Sequence, residues 1–241
     1  MSQPEEHDIT RQQVSPALQD YLKAIYTLQQ ERQQVSTSLL ADYMGFKPAS
    51  ITGMLKTLAD LEFVAYTPYR GVELTQSGER IALEIIRHHR LIELYLVEAL
   101  GYSWDEVHDE AELLEHHISE KFEERIAAYL GHPEFDPHGD PIPTLEGIVP
   151  PRSDWRLADL DVGDHGTIER VIDQNPERLR YLADLGLVLG ATIEVMASAP
   201  FDGPISVCVN DQTHPIDRRL ARMIFVVVDH KAEKESSADA D

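Results

Sequence analysis

The chain of 241 residues contains one cysteine, Cys208, which excludes an internal disulfide framework and any multi-thiolate zinc site. No apolar run approaches the roughly 18 residues needed to span a bilayer. The opening residues MSQPEEHDIT place acids where a secretory signal needs a positive stretch followed by an apolar one. A cytoplasmic protein without a membrane partner is the expectation. Basic residues are scarce too, with 21 Lys and Arg against 43 Asp and Glu and a net charge of −22. That shortage argues at first against nucleic acid, whose phosphates are met through Lys and Arg. Its distribution weakens the objection, because residues 1–80 carry only −3, residues 81–145 carry −11 and residues 146–241 carry −8. Enzyme signatures are missing as well. There is no His-Glu-x-x-His, no GxSxG, no Walker A pattern, and no Glu followed by His three positions on, as a di-iron bundle would use. Cys208 lies in the β-patterned PISVCVN and reads as a structural thiol. The expectation is a protein that is not an enzyme and takes no small-molecule substrate.

What is there suggests a mainly α fold with β. Residues 1–13 read as a flexible N-terminus. Ser15-Pro16 opens a helix with the apolar stripe Leu18, Tyr21, Leu22, Ile25, Tyr26 and Leu28. After a Gln-rich turn, Ser36-Thr37-Ser38 caps a short helix ending at Gly45, and Pro48 opens a third, PASITGMLKTLADLEF. FVAYTP and GVELT follow as a hairpin about Tyr69-Arg70-Gly71. Three helices and a hairpin over 14–80 outline a winged helix-turn-helix. Residues 81–132 read as a helical metal-binding and dimerisation domain. One helix runs to Gly101, and another, SWDEVHDEAELLEHHISEKFEERIAAYLG, runs unbroken to Gly131. Both are too apolar for lone surface helices, and a homodimer interface would use the surplus. Six of the fourteen prolines fall in 133–151, making 133–154 a linker. Residues 155–230 carry short β-patterned segments with one helical interruption, RLRYLADLGLVLG, consistent with a small β-barrel, and 231–241 read as a disordered tail.

Seven of the eleven histidines lie between positions 88 and 138. His89 and Glu93 stand at i, i+4 on one helix. His108, Glu112, Glu115 and His116 stand at i, i+4, i+7 and i+8 on the next. Helical residues three and four apart share a face, so the two helices can present imidazoles and carboxylates to each other, as metal sites between packed helices require. Imidazole with several carboxylates and no thiolate suits Mn²⁺ or Fe²⁺, with Zn²⁺, Co²⁺ and Cd²⁺ able to substitute in vitro. For DNA, Ser50, Thr52 and Lys56 are read as spaced along one face of the third helix, with Lys47 at its start and Arg70 at the hairpin tip. The lysines would meet phosphates, and the hydroxyls phosphates or base edges.

This order of features, with VHDEAELLEHHIS and PHGDPIP as specific motifs, resembles the diphtheria toxin repressor family of metal-dependent transcriptional regulators over nearly the whole chain. The C-terminal part resembles the SH3-like domain shared with the ferrous iron transport protein A. The resemblance implies a primary metal site of Asp20, His89, Glu112, Glu115 and His116. Asp20 and Glu112 stand where iron-type members carry Met and Cys, so the site is similar to that of the manganese transport regulators. A second site is implied at Glu93, Asp136 and His138, with His108 a ligand in some members. The acid it would take from the barrel is left open among Asp159, Asp161, Asp164, Glu169 and Asp173. Lys23 stands where small manganese regulators have a Glu that helps bind a second ion, which implies one primary ion per subunit and a separate second site.

The resemblance further implies a homodimer that represses metal-uptake genes from a palindromic double-stranded operator when Mn²⁺ is sufficient. Metal would fix the spacing of the recognition helices, and without it Asp20 would face the other carboxylates unneutralised. An iron-responsive repressor of the same fold is the alternative, and a metal-binding enzyme or storage protein is a more distant one.

Overall fold

The structure is a computed structural model that describes residues 14–30 and 34–230. The expected loose N-terminus, the centre of the Gln-rich turn and the C-terminal tail lie outside the described residues. The described residues form two compact units, drawn from 1–92, 111–129 and 142–149 and from 93–110, 130–141 and 150–241.

In the first unit, α1 (Pro16–Gln29), α2 (Thr37–Met44) and α3 (Pro48–Asp60) precede the hairpin β1 (Val64–Thr67) and β2 (Gly71–Leu74). The cap chemistry explains the boundaries. Pro16 and Pro48 sit where a missing N–H costs nothing. The Ser36 side chain accepts from the Leu39 N–H at 3.1 Å, and Gly45 ends α2 in the left-handed region. Leu22, Ile25, Leu40, Ile51, Leu55, Leu58 and Val72 have no exposed surface and form the core. Each such side chain contributes roughly 1.5–3 kcal/mol on burial. The hairpin pairs Val64 with Leu74 and Thr67 with Gly71, leaving Pro68, Tyr69 and Arg70 as its tip.

Helix α4 (Gln76–Leu100) runs unbroken, as its periodicity suggests. The segment after it does not. Two helices, α5 (Val107–Leu114) and α6 (Glu120–Tyr129), replace the single one expected. The Ser119 hydroxyl accepts from the Phe122 N–H at 3.3 Å, and Glu120 and Glu123 occupy the first turn of α6. A capping serine and acids at a helix N-terminus favour a new start at this point. Glu115 and His116 therefore lie in a turn, and the i, i+7, i+8 stripe with His108 does not exist as one helix face. Between Tyr129 and Leu157 no helix or named strand forms among the described residues, in keeping with the prolines.

The second unit is built on an antiparallel sheet ordered β6-β5-β4-β3-β7. Its strands are β3 (His165–Val171), β4 (Thr192–Ser198), β5 (Ile205–Val209), β6 (Gln212–Ile216) and β7 (Ile224–His230), with α7 (Pro176–Asp184) and the one-turn α8 (Arg218–Ala221) inserted. Its core includes Leu157, Ile193, Val195, Ile205, Val207 and Val226. Strand β6 carries no alternating pattern. It forms because Asn210 (φ 49°) and Asp211 (φ 62°) make the two-residue turn whose twist suits a hairpin. Its Pro215 is tolerated because β6 is outermost.

Candidate metal centre and nucleic-acid interface

Within the first unit, α1, α4, α5 and the turn after α5 bring five sequence-predicted ligands together. Asp20, Glu115 and His116 offer ligand atoms within 4.8 Å of one another, and so do His89, Glu112 and Glu115. Glu115, fully buried, is shared by both groups. Its Oε2 pairs with His89 Nδ1, and its Oε1 stands 3.5 Å from His116 Nε2. His116 Nε2 lies 2.8 Å from Asp20 Oδ1, while its Nδ1 faces the side-chain oxygen of the buried Gln19 at 2.7 Å. A proton on Nδ1, given to Gln19, leaves the Nε2 lone pair for a ligand, which is how a neighbouring residue sets the tautomer of a metal-binding histidine. Nitrogen and oxygen donors converging on a buried carboxylate fit a divalent cation that accepts hard ligands.

Two neighbours of this cluster are not evident in spacing alone. His88, fully buried, places Nδ1 3.1 Å from the Glu115 carbonyl and Nε2 3.0 Å from Glu123 Oε2. Glu123 Oε1 accepts from Arg87 Nε at 2.6 Å, and Arg87 Nη1 donates to the Pro143 carbonyl at 2.8 Å. Burial pushes the Glu123 carboxyl up, but the His88 and Arg87 contacts outweigh it and hold the group below its ordinary value. The doubled histidine at 88 and 89 signals this: one imidazole faces the ligands, the other anchors the turn that carries them.

The other neighbour is Lys23. Its Nζ stands 2.7 Å from Glu112 Oε1 and 2.7 and 2.9 Å from the two oxygens of Glu115. Burial pulls its pKa down, but Glu115 and Glu112 more than reverse that and leave it above the ordinary lysine value. This corrects the expectation of unneutralised carboxylates facing Asp20. The structure gives Asp20 an imidazole and gives Glu112 and Glu115 an ammonium.

The second unit holds the other group. Glu93, Asp136 and His138 are all buried and offer atoms within 4.8 Å of one another. His108 Nδ1 lies 3.4 Å from Glu93 Oε1, so His108 joins this group and not the stripe expected from its spacing with Glu115 and His116. Asp136 Oδ1 accepts from the backbone N–H groups of His138 at 2.8 Å and Asp140 at 2.9 Å. His138 Nε2 donates to the Trp104 carbonyl at 2.7 Å, and its Nδ1 faces Glu93 Oε2 at 3.7 Å. Burial lowers the His138 pKa, but Glu93 and then Asp136 push it up to about 9. Gly139 fixes the loop, because at φ +82° an added Cβ would lie 1.9 Å from the Glu169 carbonyl of β3. Among the described residues, none of Asp159, Asp161, Asp164, Glu169 and Asp173 joins a ligand cluster. Glu169 instead accepts from the Ser153 N–H at 3.0 Å, and Asp173 pairs with Arg178 Nε at 2.6 Å.

The candidate DNA residues lie in the first unit. Lys47, Ser50, Lys56 and Arg70 are exposed and Thr52 is half-buried. They do not share one face. Ile51, Leu55 and Leu58 point inward, and at roughly 100° per residue Ser50 and Thr52 fall on opposite edges of the exposed arc. Ala49, Gly53, Lys56 and Thr57 occupy the arc between them, and of these only Lys56 is among the sequence-predicted DNA residues. Thr52 Oγ1 donates to the Pro48 carbonyl at 2.9 Å. A Cβ at Gly53 would meet nothing within 4 Å, so the backbone there is open to a close approach. Tyr69 beside Arg70 is fully exposed with φ 67°, a costly conformation for a bulky residue.

Three family models match in chain order: iron dependent repressor, N-terminal DNA binding domain, over residues 13–72; iron dependent repressor, metal binding and dimerisation domain, over 75–144; and FeoA domain over 155–228. The iron-dependent repressor IdeR of Mycobacterium tuberculosis is 31% identical over 220 residues, covering 86% of this chain and 94% of that relative. The chain belongs to the diphtheria toxin repressor family of metal-dependent transcriptional regulators. Within that family, the transcriptional regulator MntR of Bacillus subtilis is 30% identical over 122 residues, covering 51% of this chain and 85% of MntR. A solved manganese-dependent transcriptional repressor in complex with manganese is 42% identical with a TM-score of 0.82, covering 88% of this chain and 99% of that one. The manganese regulator SloR is 29% identical with a TM-score of 0.74, covering 88% and 98%. The family is one of regulators, and its matched domains bind DNA and metal and dimerise. The expected fold, a winged helix-turn-helix, a helical domain and an SH3-like C-terminal domain, is that of the family. Among the described residues no helix is long and apolar enough to cross a membrane.

Proposed function

We propose that this family member is a manganese-dependent repressor of metal-uptake genes that binds a palindromic operator as a homodimer. The observation that carries the reading is the hard-donor set. Where the iron-type arrangement has Met and Cys, this chain places Asp20 and Glu112, and both lie within ligand reach of Glu115. Cys208 lies in β5 and joins no ligand cluster among the described residues. Mn²⁺ prefers such oxygen and imidazole ligands, whereas thiolate and thioether donors favour softer ions. The manganese-bound relative at 42% identity supports the same metal. Relatives named as iron-dependent keep Fe²⁺ as the competing reading.

Asp20, His89, Glu112, Glu115 and His116 would hold the primary ion. Glu93, Asp136 and His138, with His108, would hold the second. When bound, the ion supplies divalent charge that neutralises the carboxylates, and its donors come from three separate segments. Asp20 comes from α1 of the winged domain. His89 and the Glu115 turn come from the segment matched as metal binding and dimerisation. The protein's part is to fix these donors: Gln19 orients His116, and His88 anchors the carbonyl of Glu115. A dimer with its α3 helices about 34 Å apart would then enter successive major grooves. Lys47 and Lys56 would meet phosphates, while Ser50, Thr52 and Arg70 would flank the groove.

The test is selection of bound DNA from a random duplex pool, with Mn²⁺, with Fe²⁺ under anaerobic conditions, and with chelator. A palindrome enriched with Mn²⁺ alone is the expected outcome. Equal enrichment with Fe²⁺ would replace manganese by iron in the reading, and enrichment under chelator would refute metal dependence.

A further inference from the structure

Lys23 is the residue of the primary cluster for which a metal has no use, yet it is firmly held there. Its side chain is 19% exposed, and its ammonium spans Glu112 Oε1 and both oxygens of Glu115 at 2.7–2.9 Å. These are charge-assisted contacts of the shortest kind. A carboxylate offers about four acceptor positions, and on Glu115 the ammonium reaches both oxygens while His89 takes Oε2. An ion that used Glu115 and Glu112 would have to sit among the same oxygens as Lys23. A divalent ion there would meet the like charge of the ammonium and compete with it for the same lone pairs, and Lys23, unlike a carboxylate, supplies no ligand in return.

We propose that Lys23 is a tethered competitor for the metal. Its ammonium leaves Glu115 when a divalent ion binds there, and that exchange sets the metal concentration at which the site fills. Asp20, Glu112 and Glu115 bring three carboxylates to the cluster, so the exchange replaces a single positive charge on Glu112 and Glu115 by a double one. Lys23 also ties α1 to Glu112 and Glu115, so metal entry substitutes one link between these elements for another. This inference rests on the metal reading above and deepens it.

The experiment compares the full chain with its Lys23→Met variant. Both carry Glu93→Gln to silence the second cluster, and both are titrated with Mn²⁺ alone by calorimetry and by the resonance signal of free Mn²⁺. The expected result is at least tenfold tighter binding of the first ion by Lys23→Met. In parallel, amine labelling read by mass spectrometry reports on Lys23 itself. Its labelling should be slow without Mn²⁺ and should accelerate when Mn²⁺ is added to the parent protein. Should Lys23→Met fail to fold, Lys23→Gln provides the same comparison. Equal or weaker Mn²⁺ binding by the variant, with unchanged labelling of Lys23, would reduce Lys23 to a structural ion pair and overturn the inference while leaving the metal reading intact. No Mn²⁺ binding by either protein would overturn the metal reading itself, and the inference with it.

Discussion

Replacing Glu123 by glutamine isolates the buried network behind the metal cluster. Glu123 is 4% exposed and accepts from Arg87 Nε on one oxygen and from His88 Nε2 on the other. Glutamine keeps the shape but not the charge, so the Arg87 guanidinium loses its buried counter-ion even where the amide oxygen still accepts from it. Breaking a buried pair from one side costs on the order of 3–5 kcal/mol. Arg87 keeps its bond to the Pro143 carbonyl, so the lower end applies, about 3 kcal/mol. For a chain of this size that lowers the melting temperature by roughly 6–12 °C. The assay is urea unfolding followed by circular dichroism, in chelator so that ligand binding does not enter. The midpoint should fall with an unchanged slope. Acid supplies a second reading. Glu123 is held below its ordinary value, so its contribution is present above the unfolded glutamate value of about 4.3 and is lost as pH falls through the lower folded value. The gap between parent and variant should therefore hold above the unfolded value of about 4.3 and narrow as pH falls below it. A loss under about 1 kcal/mol at pH 7, or a gap that closes near pH 6, would refute the account.

Asp20→Ala should keep fold and dimer by sedimentation yet lose Mn²⁺-dependent operator binding in a gel-shift titration; an unchanged metal response would remove Asp20 from the coupling. Gly139→Ala forces a Cβ to within 1.9 Å of the Glu169 carbonyl from a positive φ. It should destabilise the second unit by about 3 kcal/mol or more, visible as a lower unfolding midpoint. Lys56→Ala should weaken binding to all DNA sequences alike and reduce the slope of log affinity against log salt by about one. Cys208→Ser, in β5 and part of no ligand cluster among the described residues, should leave the Mn²⁺ titration curve unmoved.

Much of this architecture is written in local signals. Ser36, Gly45 and the prolines at 16 and 48 mark helix ends because their chemistry acts on the adjacent backbone, and the helices begin and end where these residues stand. The break after α5 was equally local, in Ser119 with Glu120 and Glu123, but the amphipathic pattern runs across it and hides it. Strand β6 escaped for the opposite reason. QTHPI has no alternation, and pairing with β5 through the Asn210-Asp211 turn is what makes it a strand. At the sites, His89 with Glu93 could be read from helix periodicity. The meeting of Glu93 with Asp136 and His138 could not, since it depends on a loop that Gly139 fixes against β3. Ser50 and Thr52 were placed on one face, although two positions along a helix turn through about 200°. Lys23 was visible as a charge out of place; only the structure shows which oxygens it holds.

Gly53 sits mid-helix in α3 with open space where a side chain would begin. Alanine there would gain about 1 kcal/mol of helix stability. A laboratory search for heat resistance alone would therefore be drawn to this position and would accept almost any small residue. With α3 in the groove as proposed, a search that also demanded operator binding should refuse them, since each added atom would stand between the helix and the groove. On that reading the bare backbone at residue 53 is where folding and recognition make opposing demands on the same small volume.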